Sequence, residues 1–127
     1  MGKTLLVEHD FRIGEKIVQA LEADRLPIAL ALWAQFPEYE DWRFVVAARP
    51  LDAMSLSDAY LRINSALHKA GITVWQKPII HVMKTTDAFV KALRKEGKRA
   101  RGMEGMRLGG QMWGDRWVEE AYAQKIA

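Results

Sequence analysis

The sequence predicts an α+β fold in which helices pack on one face of a mostly antiparallel, four-stranded sheet. Two long segments carry apolar residues at helical spacing, and short apolar runs rich in strand-forming residues alternate with them. Prolines and glycines separate these segments, so short connections favour antiparallel neighbours. The chain has 127 residues, 50% hydrophobic and 28% charged, which is typical of one globular domain over residues 1–127.

The first helix is predicted within residues 4–23. Ile13, Ile17 and Leu21 lie on one apolar stripe of that helix, and most of its charged residues lie outside the stripe. The apolar run at 28–34 lies between two prolines and lacks polar alternation, which is typical of a strand buried on both faces. Its alanines and leucines also permit a helix.

A hairpin and a second helix follow. An acidic turn at 37–41 leads to a strand at 42–48 that is rich in aromatic and β-branched residues, so the two strands are predicted to pair. The helix at 56–70 has clear three- and four-residue apolar spacing. Ser55 is placed to cap its start, and Gly71 is placed to end it in a left-handed conformation.

The next part of the chain is basic and rich in glycine. A third strand is predicted at 79–83, followed by a short helix that Thr86 caps and Gly97 ends. Glycines recur through 97–114 and make regular structure costly in backbone entropy. We therefore expect flexible loops in that segment, with room for a brief strand at 106–108.

The tail at 117–126 fits two structures. Its apolar residues match both a helical stripe and one face of a strand. We favour the strand, because a hairpin after Gly109 and Gly110 would let the tail close the sheet.

Composition limits the class of protein. The chain has no cysteine, which excludes a disulfide scaffold, a cysteine-ligated zinc site and a thiolate nucleophile. Its apolar runs are too short for a signal peptide or a membrane-spanning helix. We therefore expect a soluble, cytoplasmic protein with no membrane partner.

Positive charge is concentrated in one segment. Residues 91–107 hold seven lysines and arginines against two glutamates, a balance of +5, whereas the whole chain carries +3. Such a surplus attracts phosphates, so nucleic acid or another anionic ligand is a candidate partner. The candidate contacts are Lys95, Lys98, Arg99, Arg101 and Arg107. A solvated helix face is the simpler interpretation of these side chains, and +3 is modest for a nucleic-acid-binding module.

Five tryptophans are the second feature with functional meaning. Tryptophan is enriched at interface centres and symmetric dimers are the commonest assembly, so the chain is expected to form a homo-oligomer. An aromatic-lined pocket in which Arg43 or Arg49 holds an acidic ligand is an alternative. The candidate pocket or interface residues are Trp33, Trp42, Tyr60, Trp75, Trp113 and Trp117. The last two are also placed to stack on exposed bases, and core packing is the simpler role for each ring.

Catalytic and metal-binding patterns are weak. His9, His68 and His81 are scattered without metal-ligand spacing, and His81 lies in an apolar run typical of a packed imidazole. We expect no metal, no cofactor and no catalytic residue. If the tail is a strand, Glu119 and Glu120 point to opposite faces, and one of them is placed to pair with an arginine of the basic segment.

The first half of the chain resembles a loose group of small uncharacterised bacterial proteins. The residues that carry the resemblance are Ala31, Leu32, Trp33, Trp42, Arg43, Val45, Ala47, Pro50, Ala59, Tyr60 and Ile63, with a weaker match at Glu120, Ala121 and Tyr122. The resemblance implies a bacterial, soluble α+β unit. It implies no site residues, because the group has no established activity.

The sequence therefore predicts a binding or interaction module that acts as a homo-oligomer, without an enzymatic activity that its motifs would reveal. Binding of nucleic acid or another polyanion through residues 91–107 is one alternative. Binding of a small molecule in an aromatic-lined pocket is the other.

Overall fold

The computed structural model describes residues 6–73, 78–99 and 103–127, and these residues form four helices and five strands. The elements in chain order are α1 (Glu8–Ala23), β1 (Leu30–Gln35), β2 (Arg43–Ala47), α2 (Arg49–Asp52), α3 (Leu56–Lys69), β3 (Ile79–Val82), α4 (Ala88–Arg99), β4 (Arg107–Trp113) and β5 (Arg116–Ile126). The α+β class is confirmed.

The strands form one mixed sheet in the order β3-β2-β1-β5-β4. β2 and β3 run parallel, and the other three neighbouring pairs run antiparallel, including the expected β1–β2 hairpin. The sheet is therefore mostly antiparallel, as predicted, but it has five strands rather than four. The additional strand is β4, in the segment predicted to be loops.

Helices cover both faces of the sheet, so the prediction that they lie on one face is wrong. On one face, here the α1 face, α1 and α3 pack against side chains that include Trp33 and Phe44. On the other, the α4 face, α4 packs against side chains that include Leu32 and Val45. The physical reason lies in β1, all six residues of which are buried. A strand that is apolar on both sides requires cover on both sides.

The long helices agree closely with their sequence patterns. α1 lies within the predicted 4–23, and α3 begins after Ser55, whose hydroxyl accepts a hydrogen bond from the Asp58 backbone N–H at 3.1 Å. At the other end of α3, Gly71 has a φ of +77°, and the Ile72 N–H donates to the Leu67 carbonyl at 3.0 Å. The predicted cap and the predicted left-handed stop are both confirmed.

α4 differs from its prediction at both ends. The Asp87 side chain, rather than Thr86, caps the helix, because its Oδ1 accepts from the Phe89 N–H at 2.9 Å. The helix also continues through Gly97 to Arg99. A Cβ at Gly97 would lie 2.6 Å from Cγ2 of Ile126. This glycine therefore permits close packing of α4 on β5 instead of ending the helix.

The glycine-rich segment forms an edge strand and a tight turn. β4 occupies Arg107–Trp113, so the brief strand expected at 106–108 is longer than predicted and the loops expected after it are wrong, whereas residues 100–102 lie outside the described part of the chain. The tail is a strand, as predicted, but the turn before it is at Gly114 rather than after Gly109 and Gly110. Gly110 and Gly114 have φ values of +57° and +62°, which glycine adopts without steric cost. The expected flexibility of 97–114 stays a prediction.

Candidate functional site

The basic candidates whose side chains the structure describes do not share one surface. Lys95 and Lys98 are exposed on α4, while the side chain of Arg99 and all of Arg101 lie outside what the structure describes. Arg107 begins β4 and lies over the Phe11 ring of α1, with its Cζ 5.4 Å from the ring centroid. The sheet therefore separates Arg107 from the α4 lysines.

Arg107 is also neutralised by a carboxylate. Its Nη1 donates to Glu120 Oε2 at 2.9 Å, and its Nη2 donates to the Leu6 carbonyl at 2.8 Å. The predicted pairing of a tail glutamate with an arginine of the basic segment is confirmed in this ion pair. Arg107 thus has a structural role that needs no external anion.

The candidate aromatic side chains are largely core residues. Trp33 and Trp42 are buried on the α1 face, and Tyr60 packs against the same cluster. The Trp33 Nε1–H donates to Gln124 Oε1 at 3.3 Å, and the Tyr60 hydroxyl accepts from the Val82 N–H. These bonds satisfy the polar ends of two rings inside the core, as the core-packing interpretation expects.

The remaining tryptophans divide between core and surface. Trp113 is buried on the α4 face, where its ring meets Phe89 edge to face at 6.3 Å. Trp117 is 44% exposed and pairs across the hairpin with Met112, which is 60% exposed. Trp75 lies outside the described residues. Trp117 is therefore the candidate ring whose surface is accessible.

A different group of side chains meets at one end of the sheet on the α4 face. We call it the Arg43 cluster; its members are Phe36, Tyr39, Arg43, His81 and Arg116. The first two belong to the turn after β1, and the others lie on β2, β3 and β5. Side chains alternate along a strand, so Arg43 shares a face with Val45. His81 lies in register with Val45 on the neighbouring strand and so joins the same face.

Aromatic rings hold the cationic groups of this cluster. The Arg43 guanidinium lies over Tyr39, with Cζ 3.9 Å from the ring centroid. Arg116 lies over Phe36 at 5.0 Å. The His81 ring is 5.9 Å from Phe36 and 6.2 Å from Tyr39, measured between centroids. Cations over aromatic faces are held in place while their edges stay available for hydrogen bonds.

Arg116 and Arg43 differ in their hydrogen-bond partners. Arg116 Nη1 donates to Glu38 Oε2 at 3.1 Å, which neutralises much of its charge. Arg43 Nε is buried, and no acceptor in the described part of the chain bonds it. Arg43 as a whole is only half-buried. A buried guanidinium N–H without an acceptor is uncommon in proteins and is the most unusual feature of the cluster.

The surroundings of the cluster favour the neutral form of His81. Burial lowers the pKa of His81, and the nearby positive charges of Arg116 and Arg43 lower it further, whereas the carboxylates of Glu38 and Asp87 act in the opposite direction. A neutral imidazole offers one N–H donor and one acceptor. The site therefore combines a half-buried cation with a polar ring whose neutral form is favoured, both within an aromatic shell.

A surface depression lies beside the cluster. It encloses about 320 Å³ and is lined by Pro37, Glu38, Asp115, Arg116 and Trp117. Arg116 belongs to both the cluster and the depression. Within the described ranges, no three His, Asp or Glu side chains are grouped in a way that could hold a metal ion.

Comparison with models of protein families, with curated proteins and with solved structures finds no match to this chain. The resemblance to a group of bacterial proteins therefore stays a prediction. No helix in the described ranges is both long enough and apolar enough to span a membrane.

The sequence analysis named Arg43 as a candidate contact for a ligand, but it did not predict which side chains surround Arg43. Arg43 was a candidate for holding an acidic ligand, but with Trp33, Trp42 and Tyr60, which lie on the opposite face. His81 is packed against rings, as its apolar run predicts. The cluster joins residues more than 70 positions apart in the chain, so no local spacing could indicate it.

Proposed function

We propose that the protein binds a small acidic molecule, with a carboxylate or phosphate group, at the Arg43 cluster. The observation that carries this proposal is the half-buried Arg43 guanidinium on the Tyr39 ring, which no carboxylate among the described residues pairs in a salt bridge. A carboxylate or phosphate oxygen is the acceptor that matches a guanidinium in charge and geometry. This is the small-molecule alternative of the sequence analysis, placed at a different site.

The surroundings of Arg43 strengthen such a contact. Because the guanidinium is half-buried on the ring of Tyr39, a bound anion would interact with it in a medium less polar than water. The neutral imidazole of His81 adds a hydrogen-bond donor without the cost of a buried charge. Arg116 contributes a second positive charge, which Glu38 partly offsets.

Binding of a polyanion through residues 91–107 has less support from the geometry. A nucleic acid needs several cations along one continuous surface. In this fold, Arg107 is paired with Glu120 on one side of the sheet and the α4 lysines lie on the other. The Arg43 cluster instead gives one compact contact, which suits a small ligand.

Self-association is a second candidate function, favoured by one specific observation. Met112 and Trp117 form a cross-strand pair on the β4–β5 hairpin, and both are exposed. Adjacent exposed apolar side chains are typical of interfaces. Light scattering at micromolar concentrations tests this function: a dimer that Met112→Glu dissociates supports it, and a monomer at all concentrations contradicts it.

Calorimetric titration with inorganic phosphate and with succinate tests the acidic-ligand proposal. Arg43→Gln is expected to weaken binding about 10- to 100-fold, because a hydrogen bond to a charged group contributes about 1.5–3 kcal/mol. Arg12→Gln is the matched control, since Arg12 is an exposed arginine on α1 that pairs with Glu8. Equal losses in both variants, or no binding of either anion, would contradict the proposal.

A further inference from the structure

A cavity lies beyond the carboxyl ends of the parallel strands β2 and β3. It encloses about 350 Å³, which is within the range for small-molecule sites. β2 leads into α2, and β3 leads into Met83 and Lys84, so the segments that follow both strands supply walls of the cavity, together with the start of α3. Where parallel strands are joined through helices, ligands commonly bind at this end of the strands.

The lining of this cavity is mainly apolar. Six of its eight residues have apolar side chains, namely Leu51, Met54, Leu56, Ala59, Val82 and Met83. Most of them belong to the core, whereas Leu56 is 65% exposed. Engineered apolar cavities of about 150 Å³ bind benzene, so a space of this size accommodates a longer hydrocarbon. A hydrocarbon chain seated here would also remove part of Leu56 from water.

Hydrogen bonds tie two walls of the cavity together. The Asp52 carboxylate accepts from the Thr85 N–H at 2.9 Å and also from the Thr85 hydroxyl. Asp52 ends α2, and Thr85 directly follows Lys84, so these bonds fix the segment after β2 against the segment after β3. The cavity is therefore preformed, and a ligand does not have to order these walls when it binds.

Charge indicates which end group the ligand carries. Lys84 is the one charged residue in the described lining of the cavity. Its side chain is exposed and forms no ion pair with a described residue, while both oxygens of the Asp52 carboxylate are engaged by Thr85. An ammonium group beside an apolar cavity attracts a carboxylate, and the methylenes of the lysine add apolar surface.

We infer that this cavity is a second ligand site and that it takes an aliphatic carboxylate, such as a medium-chain fatty acid. The hydrocarbon chain lies against the apolar lining, and the carboxylate meets the Lys84 ammonium. Arg43 begins β2 and the cavity lies beyond the other end of that strand, so binding here does not depend on the proposed acidic-ligand site.

A series of ligands tests both parts of the inference with the full chain. Butyrate, hexanoate and octanoate are titrated by calorimetry below the concentrations at which they form micelles. Each added methylene is expected to tighten binding about two- to fourfold. Octanol, which has the same chain length without the charge, is expected to bind about two- to fivefold more weakly than octanoate. Binding that is independent of chain length, or octanol that binds as tightly as octanoate, would overturn the inference.

Surface variants identify the residues that contact the ligand. Leu56→Ser is expected to weaken octanoate binding about three- to tenfold. Leu61→Ser is the matched control, because Leu61 is also on α3 and 65% exposed but does not line the cavity. Lys84→Gln is expected to bring octanoate to the affinity of octanol, whereas Lys95→Gln, at an exposed lysine of α4, should leave it unchanged. Equal losses in a variant and its control would overturn the inference.

Arg43→Gln separates this site from the Arg43 cluster. We expect this variant to bind octanoate as the wild type does, even where its binding of phosphate is weakened. If Arg43→Gln loses octanoate binding while Lys84→Gln retains it, the carboxylate binds at the Arg43 cluster, and the second site is overturned while the proposed function stands.

Methionine methyl signals in nuclear magnetic resonance spectra locate the ligand in the unchanged protein. Octanoate is expected to shift the signals of Met54 and Met83, which line the cavity, in a saturable manner. The signal of Met112, which is 60% exposed on β4, should stay in place. The signals are assigned from their loss in methionine-to-leucine variants. A larger shift at Met112 than at Met54 and Met83 would overturn the inference.

Discussion

The turn at Gly114 connects the stability of the fold to the geometry of the site, and replacing this glycine with alanine tests that connection. Gly114 has a φ of +62°, and a Cβ there would lie 2.5 Å from the carbonyl carbon of Ala88 and 2.8 Å from the amide nitrogen of Phe89, at the start of α4. These are backbone atoms, which cannot rotate away as a side chain can. Two separate costs follow, one from the left-handed backbone and one from the overlap.

The magnitude follows from a comparison with Gly71. That residue has a φ of +77°, and a Cβ added there would meet no atom within 4 Å, so Gly71→Ala introduces only the backbone cost of about 1–2 kcal/mol. Gly114→Ala adds an overpacking cost of about 1–3 kcal/mol. We therefore expect Gly114→Ala to lower the free energy of unfolding by about 2–5 kcal/mol.

Urea unfolding followed by circular dichroism measures both variants against the wild type. The difference between Gly114→Ala and Gly71→Ala isolates the contact between the β4–β5 turn and α4. If Gly114→Ala destabilises the protein no more than Gly71→Ala does, α4 does not start against this turn, and the placement of Arg116 beside Phe36 loses its support.

Three further predictions concern stability. Hydrogen bonds from Lys69 and Arg62 hold the pKa of Asp24 below its ordinary value, so the stability from its carboxylate is present above about pH 4 and is lost as the pH falls through the lower, folded-state pKa. The melting temperature of Asp24→Asn should therefore approach that of the wild type in acid, and a constant gap would contradict the assignment. The pKa of His81 is lowered by burial, so charging it below about pH 6.5 disfavours the folded state. His81→Gln should lose less stability than the wild type between about pH 7 and about pH 5, and parallel melting curves would refute this. Ser55→Ala removes the cap of α3 and should cost about 1 kcal/mol in urea unfolding, whereas alanine at another exposed serine of that helix should be nearly neutral.

The parts of the fold that the sequence predicted well are those with local signals. The start and end of α3 depend on Ser55 and Gly71, which act on backbone groups within one helical turn. The β1–β2 hairpin depends on two adjacent strand-forming runs joined by a polar turn. In each case, the residues that determine the structure are also neighbours in the chain.

The parts that were predicted wrongly depend on contacts between distant residues. Gly97 and Gly114 were interpreted as breakers, whereas each permits the close approach of a distant or neighbouring element. The apolar run of β1 indicated that both faces of the sheet are covered. The periodicity of α4, however, could not show that this helix lies on the second face. The glycines of β4 are tolerated because it is an edge strand that pairs with β5.

From the sequence, only the type of residue at the candidate site, an arginine, could be predicted. Arg43 was predicted, together with Arg49 as an alternative, to hold an acidic ligand in an aromatic-lined pocket. Its partners come from three other strand ends or turns, and their positions depend on the order of the strands in the sheet. The unused Nε donor is a property of the packed structure alone.

The central claim is that the Arg43 guanidinium binds an acidic ligand. The most direct measurement is the proton and nitrogen chemical shift of this group during a phosphate titration, with the signal assigned from its loss in Arg43→Lys. We predict a saturable downfield shift of the Arg43 Nε–H proton that exceeds the shift of the Arg12 Nε–H proton. Equal, linear drift of the two signals would contradict the account.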